Sequence, residues 1–170
     1  MEIDKISKQF LDAYDKYADD LFRHVIFRVS DKEAAKELLQ ETFMKTWEYM
    51  KKGNKVDEIR PFLYRVLHNQ LIDYLRKRKP QVSLDELSED GFDIAHGGRK
   101  EEESRIDAKK LLVLLDELDE SYRNVLVMRY VDDMTIQEIA ELTGDQPNSI
   151  SVRLHRALKK LKELHDERLR

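Results

Sequence analysis

The stretch Thr135–Leu161, TIQEIAELTGDQPNSISVRLHRALKKL, decides the fold of the C-terminal part of the chain, because it has the pattern of two short helices around a turn. Thr135 and Glu138 have the spacing of a capping box, in which a hydroxyl and a carboxylate each accept a hydrogen bond from an unpaired backbone N–H group. Gly144 stands where a left-handed residue ends such a helix. Pro147 is tolerated in the first turn of the next helix. The stretch therefore predicts a helix-turn-helix.

The second helix of this stretch has one apolar face and one basic face. Between Pro147 and Lys162 the chain carries five lysines or arginines and no acidic residue. Apolar residues at helical spacing form one face, namely Ile150, Leu154, Ala157, Leu158 and Leu161. The other face consists of Asn148, Ser149, Ser151, Arg153, Arg156, Lys159 and Lys160. A basic second helix of this kind is typical of a recognition helix that binds DNA.

The composition predicts an all-α protein. The chain has 170 residues, of which 39% are charged, and it contains only five glycines and three prolines. This composition favours helices, and the length suits one ordinary domain or two small ones. The absence of cysteine excludes disulfides and thiolate metal sites. No apolar run approaches the ~18 residues of a membrane span, and the N-terminus is too charged for a signal peptide. We therefore expect a cytoplasmic protein without membrane insertion.

The net charge of −4 conceals a segregation of sign along the chain. Residues 1–80 carry a net +3, residues 81–105 a net −5 and residues 106–170 a net −2, although the recognition helix in the last segment is strongly basic. Segregation of sign matters more than total charge for binding a polyanion. A solvated helix face remains the alternative explanation for any single basic run.

Two amphipathic helices are predicted at the start of the chain. The first runs from about Asp4 to Val29. Ser30 and Glu33 then have capping-box spacing before a second helix. The polar side of this second helix is a ridge suited to a protein partner, with a plain solvated surface as the alternative. The apolar stripe of the first helix comprises Phe10, Tyr14, Tyr17, Leu21 and Val25, and the ridge of the second comprises Glu37, Gln40, Glu41 and Lys45.

A third helix follows a loop. The dipeptide Gly53-Asn54 is a turn signal inside the predicted loop Lys51–Ile59. Pro61 opens a helix that is predicted to end near Lys79. Its tail is RKRK, residues 76–79. Positive charge is favourable at a helix C-terminus, but four consecutive cations exceed what capping requires, so we expect contact with phosphates.

Residues 81–105 are expected to form a flexible acidic linker. Pro80 ends the third helix, and the segment after it has three glycines, an excess of acidic residues and little periodicity. Strongly apolar helices resume near Ile106 and lead into the helix-turn-helix. The predicted architecture is therefore all-α, with two small helical domains, residues 1–80 and 106–170, joined by this linker.

The sequence contains no recognisable catalytic or metal-binding constellation. The five histidines are scattered, and none belongs to an HExxH motif. The phosphate-binding patterns GxxxxGKS/T and GxGxxG and the hydrolase pattern GxSxG are absent. The carboxylates lie on helix faces beside lysines and arginines, so no acid–base pair stands out. We therefore expect no cofactor, no metal and no enzymatic activity.

Three blocks of the sequence resemble the sigma factors of bacterial RNA polymerase, in particular the small two-domain extracytoplasmic-function (ECF) group of the sigma-70 family. The family's core-polymerase-binding helix is similar to AAKELLQETFMKTW (Ala34–Trp47). Its promoter-melting helix, which reads the −10 element, is similar to RPFLYRVLHNQLIDYLRKRK (Arg60–Lys79). Its −35-reading domain is similar to LDESYRNVLVMRYVDDMTIQEIAELTG (Leu118–Gly144) followed by SVRLHRALKKL (Ser151–Leu161). A helix-turn-helix alone would be a weaker signal, because many regulators contain one.

The resemblance implies partners and residue roles. The protein would bind promoter DNA and core RNA polymerase, at the clamp helices of the largest subunit and the flap of the second-largest, and an anti-sigma factor would bind the free protein. The implied polymerase-binding residues are Glu37, Leu38, Gln40, Glu41 and Phe43. Those implied for the −10 element are Arg65, His68, Asn69, Asp73, Arg76, Lys77 and Arg78. Those implied for the −35 element are Asn148, Ser149, Ser151, Val152, Arg153, Arg156, Lys159 and Lys160. The loop Lys51–Ile59 would receive a flipped base.

The chain departs from the family pattern at the turn of the helix-turn-helix. Asp145 stands where the family usually has an apolar residue, and Gln146 stands where a serine usually caps the helix. Asp145 is therefore a candidate N-cap, with Gln146 and Pro147 in the first turn. Two other functions remain open. One is a stand-alone helix-turn-helix regulator whose first half senses or dimerises, and the other is a helical adaptor that binds only protein.

Overall fold

The computed structural model describes the backbone of residues 1–78 and 101–170. Side chains are described for residues 1, 3–78 and 109–170. The predicted linker lies outside the described residues except for residues 101–105, which are helical. All regular secondary structure within the described ranges is helical, and no strand occurs there, so the predicted all-α fold is confirmed.

The chain divides into two compact units, Met1–Val82 and Ser83–Arg170. The described part of the first unit contains three helices, which are α1 (Glu2–Val29), α2 (Lys32–Lys51) and α3 (Ile59–Lys77). The described part of the second contains α4 (Glu101–Glu117), α5 (Glu120–Leu126) with a π-helical continuation (Val127–Val131), α6 (Ile136–Thr143) and α7 (Pro147–Arg168).

The first unit is a three-helix bundle in which each helix packs against the other two. Its fully buried side chains come from all three helices and include Leu21, Met50 and Leu67. Burial of a side chain of this size stabilises a fold by roughly 1.5–3 kcal/mol relative to exposure. A buried hydrogen bond joins α3 to α2, because the Gln70 amide donates to the Thr42 hydroxyl over 3.2 Å.

The junction between α1 and α2 differs from the prediction by one residue. Ser30 is the C-cap of α1, with a left-handed φ of 53°, and its N–H group donates to the carbonyl of Ile26. Asp31 is the N-cap of α2, and its carboxylate accepts a hydrogen bond of 3.1 Å from the N–H of Ala34. The predicted Ser30–Glu33 capping box is therefore wrong, because Ser30 is used to end the preceding helix.

A loop joins α2 and α3 where it was predicted, but α3 begins at Ile59, two residues before the predicted start at Pro61. Gly53 has a φ of 86°, a left-handed conformation that favours glycine. The N-cap of α3 is Glu58, and Pro61 lies in the first turn, where its missing N–H costs no helical hydrogen bond. The helix α3 ends at Lys77, because Arg78 has an extended backbone conformation, so the predicted end near Lys79 is about two residues too late.

The entry to the helix-turn-helix in the second unit is a wide turn. The N–H of Asp132 donates to the carbonyl of Val127, five residues earlier, which gives the last turn of this segment its π-helical form. Asp133 follows with a left-handed φ of 53°. The predicted capping box then starts α6, since Thr135 Oγ1 accepts from the N–H of Glu138 over 3.1 Å and the Glu138 carboxylate accepts in return over 2.7 Å.

The turn and the start of α7 are defined by three consecutive positions. Gly144 is the left-handed C-cap of α6, as predicted, with a φ of 78°. Gln146 is the N-cap of α7 and Pro147 its first helical residue. The candidate assignment of Asp145 as N-cap is therefore wrong by one residue. The Asp145 carboxylate instead binds a side chain on α7.

Candidate nucleic-acid and protein interfaces

The polar face of α7 is available at the surface. Ile150, Leu154 and Ala157 are buried, which fixes the rotation of the helix and turns its other side outward. Arg153 is half-buried. The exposed residues among those predicted to contact DNA are Asn148, Ser149, Ser151, Val152, Arg156, Lys159 and Lys160.

Most of these residues surround one shallow concavity. It has a volume of about 320 Å³ and is lined by residues of α7 and by Tyr122 of α5. Tyr122 lies in the region where the sequence predicts only strongly apolar helices, and nothing in its sequence neighbourhood distinguishes it from a core residue. The α7 residues that line the concavity are Asn148, Ser149, Val152, Arg153 and Arg156.

The charged side chains of α7 differ in their partners. Arg153 Nη1 lies 2.8 Å from Asp145 Oδ2. Lys160 Nζ lies 3.7 Å from the carboxylate of Glu163, one turn later. Arg156 and Lys159 form no ion pair with any residue that the structure describes. Within the described part of the chain, Arg156 and Lys159 thus have no acidic partner, whereas Arg153 is held by a carboxylate in the turn and Lys160 by one on the same helix.

A second basic surface lies on α3. Arg65, Asn69, Asp73 and Arg76 are exposed and follow one another at intervals of three or four residues, so they share one face of the helix. Lys77 is exposed at the end of the same helix. The structure therefore brings five of the seven residues predicted for the −10 element together at the surface.

His68 lies inside the first unit. Its side chain is 8% exposed, because position 68 is turned about 100° around the helix from Asn69. Burial, assisted by the charges of Arg28 and His24, lowers the pKa of His68 from 6.5 to about 4. His68 is therefore a neutral core residue near pH 7, and it presents no charge to DNA from this position.

Arg78 is exposed but has partners within the first unit. Its guanidinium lies 2.6 Å from the Asp31 carboxylate, stacks over the Tyr74 ring and donates to the Tyr74 hydroxyl. Partial burial alone would raise the pKa of Asp31, but the hydrogen bond from Ala34 and the guanidinium of Arg78 outweigh it and lower that pKa below its usual value. To contact a phosphate, the Arg78 guanidinium must either break its ion pair with Asp31 or bind Asp31 and the phosphate together.

The residues predicted to bind polymerase divide into two groups. Glu37, Gln40 and Glu41 are exposed on α2 and form the predicted ridge. Leu38 and Phe43 are buried. They therefore support the ridge from within the bundle and offer little surface of their own.

An apolar groove between α1 and α2 adjoins this ridge. It has a volume of about 730 Å³ and extends along both helices. Leu11 is 59% exposed and Met44 55% exposed within it. Tyr14, which was predicted to lie on the apolar stripe of α1, is exposed at its edge, and its ring is tilted against that of Phe43 with the ring centroids 4.8 Å apart. The other side chains that line the groove are Ser7, Phe10, Lys36, Leu39, Gln40 and Trp47.

Only weak signals of this groove are present in the sequence. Leu11 lies next to the predicted stripe of α1, and Met44 stands one turn after Gln40 on the polar side of α2. Single exposed apolar residues are common on protein surfaces. It is their convergence from two helices that forms a contiguous apolar surface, and that convergence needs the packing of α1 on α2.

Two further observations concern the predicted absences. Among the residues whose side chains are described, no group of three or more histidine, cysteine, aspartate or glutamate side chains is arranged to bind a metal ion. None of the described helices is both long and apolar enough to span a membrane.

Comparison with known proteins identifies both units. The model of the family "Sigma-70 region 2" matches residues 13–81, and that of "Sigma-70, region 4" matches residues 108–161. The ECF RNA polymerase sigma factor SigM of Bacillus subtilis is 29% identical over 157 residues, which covers 91% of this chain and 94% of SigM. The RNA polymerase sigma-E factor of Streptomyces coelicolor is 30% identical over 149 residues, which covers 85% of this chain and 79% of that protein.

Solved structures show the same fold. The sigma factor RpoE, in complex with the anti-sigma factor NepR from Bartonella quintana, matches with a TM-score of 0.71 and 22% identity, over 94% of this chain and 98% of RpoE. CnrH, in complex with the cytosolic domain of CnrY, matches with a TM-score of 0.66 and 20% identity, over 95% of this chain and 90% of CnrH. The chain therefore belongs to the ECF group of the sigma-70 family and is a promoter-recognising sigma subunit of RNA polymerase.

Proposed function

We propose that α7 reads the −35 promoter element from the major groove. The observation that carries this proposal is the exposed polar face of α7, whose apolar face is fixed in the core by Ile150, Leu154 and Ala157. Arginine can read guanine through two hydrogen bonds and asparagine can read adenine, and each such pair discriminates by ~1–3 kcal/mol. Arg153 and Asn148 are the best candidates for base contacts.

The remaining exposed residues of α7 are proposed to contact DNA and to position the helix on it. Lys159 and Lys160 lie about three helical turns beyond Asn148 and about two beyond Val152, and a lysine there binds phosphate without reading sequence. Ser149, Ser151, Val152 and Arg156 complete the proposed surface. The residues of the second unit, 106–170 in the predicted division, thus act together as a −35-reading domain.

The first domain, residues 1–80 in the predicted division, is proposed to act on the −10 element. The exposed face of α3 that contains Arg65, Asn69, Asp73 and Arg76 would face the unstacked strand, with Lys77 binding phosphate. Arg78 would join this grip by exchanging Asp31 for a phosphate. The loop between α2 and α3 would receive a flipped base, whose lost stacking costs a few kcal/mol that new contacts must offset. His68 would act from inside, by packing α3 against α1.

Docking on core polymerase is proposed at α2. Glu37, Gln40 and Glu41 would contact the clamp helices of the largest subunit, while Leu38 and Phe43 hold the ridge in place from below. The adjoining apolar groove enlarges the surface available to a protein partner.

A further apolar groove supports a contact in the second unit. It has a volume of about 230 Å³ and lies between α4, the α5 segment and α7. Leu111, Tyr130 and Leu158 are exposed along it. We assign this groove to the flap of the second-largest polymerase subunit. An anti-sigma factor would cover the same apolar surfaces in the free protein, as NepR and CnrY form complexes with the related RpoE and CnrH.

The proposed mechanism is recruitment without covalent chemistry. Two DNA-reading domains are brought to a promoter by the polymerase, and unstacked −10 bases are then captured. No enzymatic step and no cofactor are required, and the site of action is the cytoplasm, where the polymerase and its DNA are found.

Footprinting distinguishes this function from that of a stand-alone regulator. A promoter selected by the holoenzyme from a random library is probed with the chain alone, with core polymerase alone and with both. We expect protection of the −35 and −10 elements only with both, at concentrations near the affinity of the holoenzyme. Equal protection of the −35 element by the chain alone would favour the regulator, and no protection in any case would favour the protein-binding adaptor.

A further inference from the structure

Asp145 and Arg153 form an ion pair across the turn of the helix-turn-helix. The two residues are eight positions apart, and Arg153 Nη1 lies 2.8 Å from Asp145 Oδ2. The backbone around Asp145 is well constrained, because Gly144 precedes it in a left-handed conformation and the Asp145 N–H donates to Thr143 Oγ1 over 3.4 Å. The carboxylate is thus presented to α7 from a fixed turn.

Neither capping nor stability explains this pair. The N-cap of α7 is Gln146, whose carbonyl accepts the N–H of Ile150, and the Asp145 carboxylate takes no part in the cap. The side chains of Arg153 and Asp145 are 30% and 38% exposed. Ion pairs with this degree of exposure contribute little to stability. The pair must therefore be understood from what Arg153 does.

We propose that Asp145 is a specificity-determining residue that acts by positioning Arg153 for one guanine of the −35 element. This inference rests on the proposed function of α7. Arginine has five N–H donors, and Asp145 engages only the Nη1 group among the polar atoms that the structure describes. Enough donors remain for the two hydrogen bonds that read the N7 and O6 atoms of guanine. A held guanidinium loses less conformational freedom on binding than a free one.

The same carboxylate limits binding to other sequences. Asp145 neutralises the charge of Arg153 and places a negative charge at the surface that faces DNA, where phosphates dominate the affinity for any sequence. Removal of the carboxylate frees Arg153 to contact phosphates. Asp145 thus lowers affinity for DNA in general and raises discrimination at one base pair, so its loss changes the two quantities in opposite directions.

The test compares holoenzymes that contain wild type, Asp145→Ala, Asp145→Asn, Arg153→Ala and the double variant Asp145→Ala/Arg153→Ala. Each initiates transcription on templates with every base at each −35 position. We expect Asp145→Ala to reduce the preference for guanine at one position by about tenfold. Binding of the full Asp145→Ala chain to a duplex without promoter elements should become tighter than that of the wild type. Arg153→Ala should remove the same preference, and the double variant should match Arg153→Ala.

Three results would overturn the inference. The first is an unchanged guanine preference in Asp145→Ala. The second is equal weakening on all templates, which a purely structural role would produce. The third is a further loss when Asp145→Ala is added to Arg153→Ala, because Asp145 would then read a base itself. Asp145→Asn keeps the shape of the turn, so the guanine preference is measured with this variant if the alanine variant is unfolded. A wild-type holoenzyme without any −35 preference would instead contradict the proposed function of α7.

Discussion

Asp31 joins the start of α2 to the end of α3, because its carboxylate accepts hydrogen bonds from the N–H of Ala34 over 3.1 Å and from Arg78 Nη1 over 2.6 Å. One carboxylate therefore caps the proposed polymerase-docking helix and also holds Arg78, the C-cap residue of the proposed DNA-binding helix. A DNA phosphate that takes Arg78 from Asp31 leaves the cap intact, since a separate oxygen accepts from Ala34.

Replacement of Asp31 separates these two roles. Asp31→Ala should lower the free energy of unfolding of the first unit by about 1 kcal/mol, which is the usual cost of losing an N-cap. Asp31→Asn should cost less, because asparagine also caps a helix, while the exposed ion pair itself adds little. Urea unfolding followed by the fluorescence of Trp47, the single tryptophan of the chain, measures this unit directly.

The pH dependence of the Asp31 contribution has a definite sign. The pKa of Asp31 is lower in the folded protein than its usual value of 3.8. Its stabilisation is therefore complete above about pH 4 and is lost as pH falls through the folded pKa. The difference between wild type and Asp31→Ala should shrink below pH 4. A difference that grows on acidification would contradict the geometry seen at this carboxylate.

His68 should make the first unit sensitive to mild acid. Burial, together with Arg28 and His24, lowers the pKa of His68 to about 4, whereas the unfolded chain binds this proton near 6.5. The contribution of neutral His68 to the free energy of unfolding is therefore complete above about pH 6.5. As pH falls towards 4, the unfolded chain takes up the proton first, and the free energy of unfolding decreases by roughly 3 kcal/mol. Urea unfolding of wild type and His68→Gln at pH 7.5 and 5.0 should show a smaller loss in the variant.

The control for this measurement is His155→Gln, since His155 is exposed on α7. It should leave the pH dependence of the first unit unchanged. An identical loss of stability in wild type and His68→Gln would show that the histidine at position 68 is solvated and free to reach DNA.

Replacement of Lys160 and replacement of Arg153 on α7 should affect DNA binding in different ways. Lys160→Ala should weaken binding to all templates alike and reduce the salt dependence by about one counterion, because a phosphate contact carries no sequence information. Arg153→Ala should instead flatten the preference at one −35 position. Competition binding of the holoenzyme at several salt concentrations measures both quantities. A sequence-selective effect of Lys160→Ala would exchange the assigned roles.

The ridge on α2 should govern affinity for core polymerase. Glu37→Lys should weaken that affinity roughly fivefold to tenfold, as expected for one important interface residue. Asp12→Lys makes the same charge change at an exposed position of α1 that does not line the groove, so it is the matched control. Titration of labelled protein with core polymerase provides the measurement. Equal effects of the two variants would move the docking surface away from the ridge.

The local signals in the sequence predicted the helices well because capping is a short-range interaction. Thr135, Glu138 and Gly144 behave as predicted, since each acts within one helical turn. The sequence alone could not decide which of two adjacent residues is the N-cap of a helix. Ser30 was assigned to the wrong helix, and Asp145 turned from a cap into an arginine partner. In both cases two adjacent residues were suitable N-caps, and the choice between them depended on a contact with a neighbouring helix or with a residue elsewhere in the fold.

Side-chain direction was the harder part of the candidate site. Arg65, Asn69 and Asp73 were predicted at the surface and lie there, whereas His68 beside them is buried within the first unit. Helical spacing groups residues by face, but a polar residue at the border of the buried face is ambiguous. The apolar groove was not predicted for the same reason, because Leu11 and Met44 form one apolar surface only when α1 packs against α2.

Transcription initiation in a purified system tests the central claim most directly. Core polymerase is supplied with the chain and a promoter selected by the holoenzyme, and RNA 5′ ends are mapped. We expect transcripts from one start site that are absent without the chain and that disappear when either the −35 or the −10 element is scrambled. Transcription that needs no added chain, or that is unchanged when both elements are scrambled, would contradict the account.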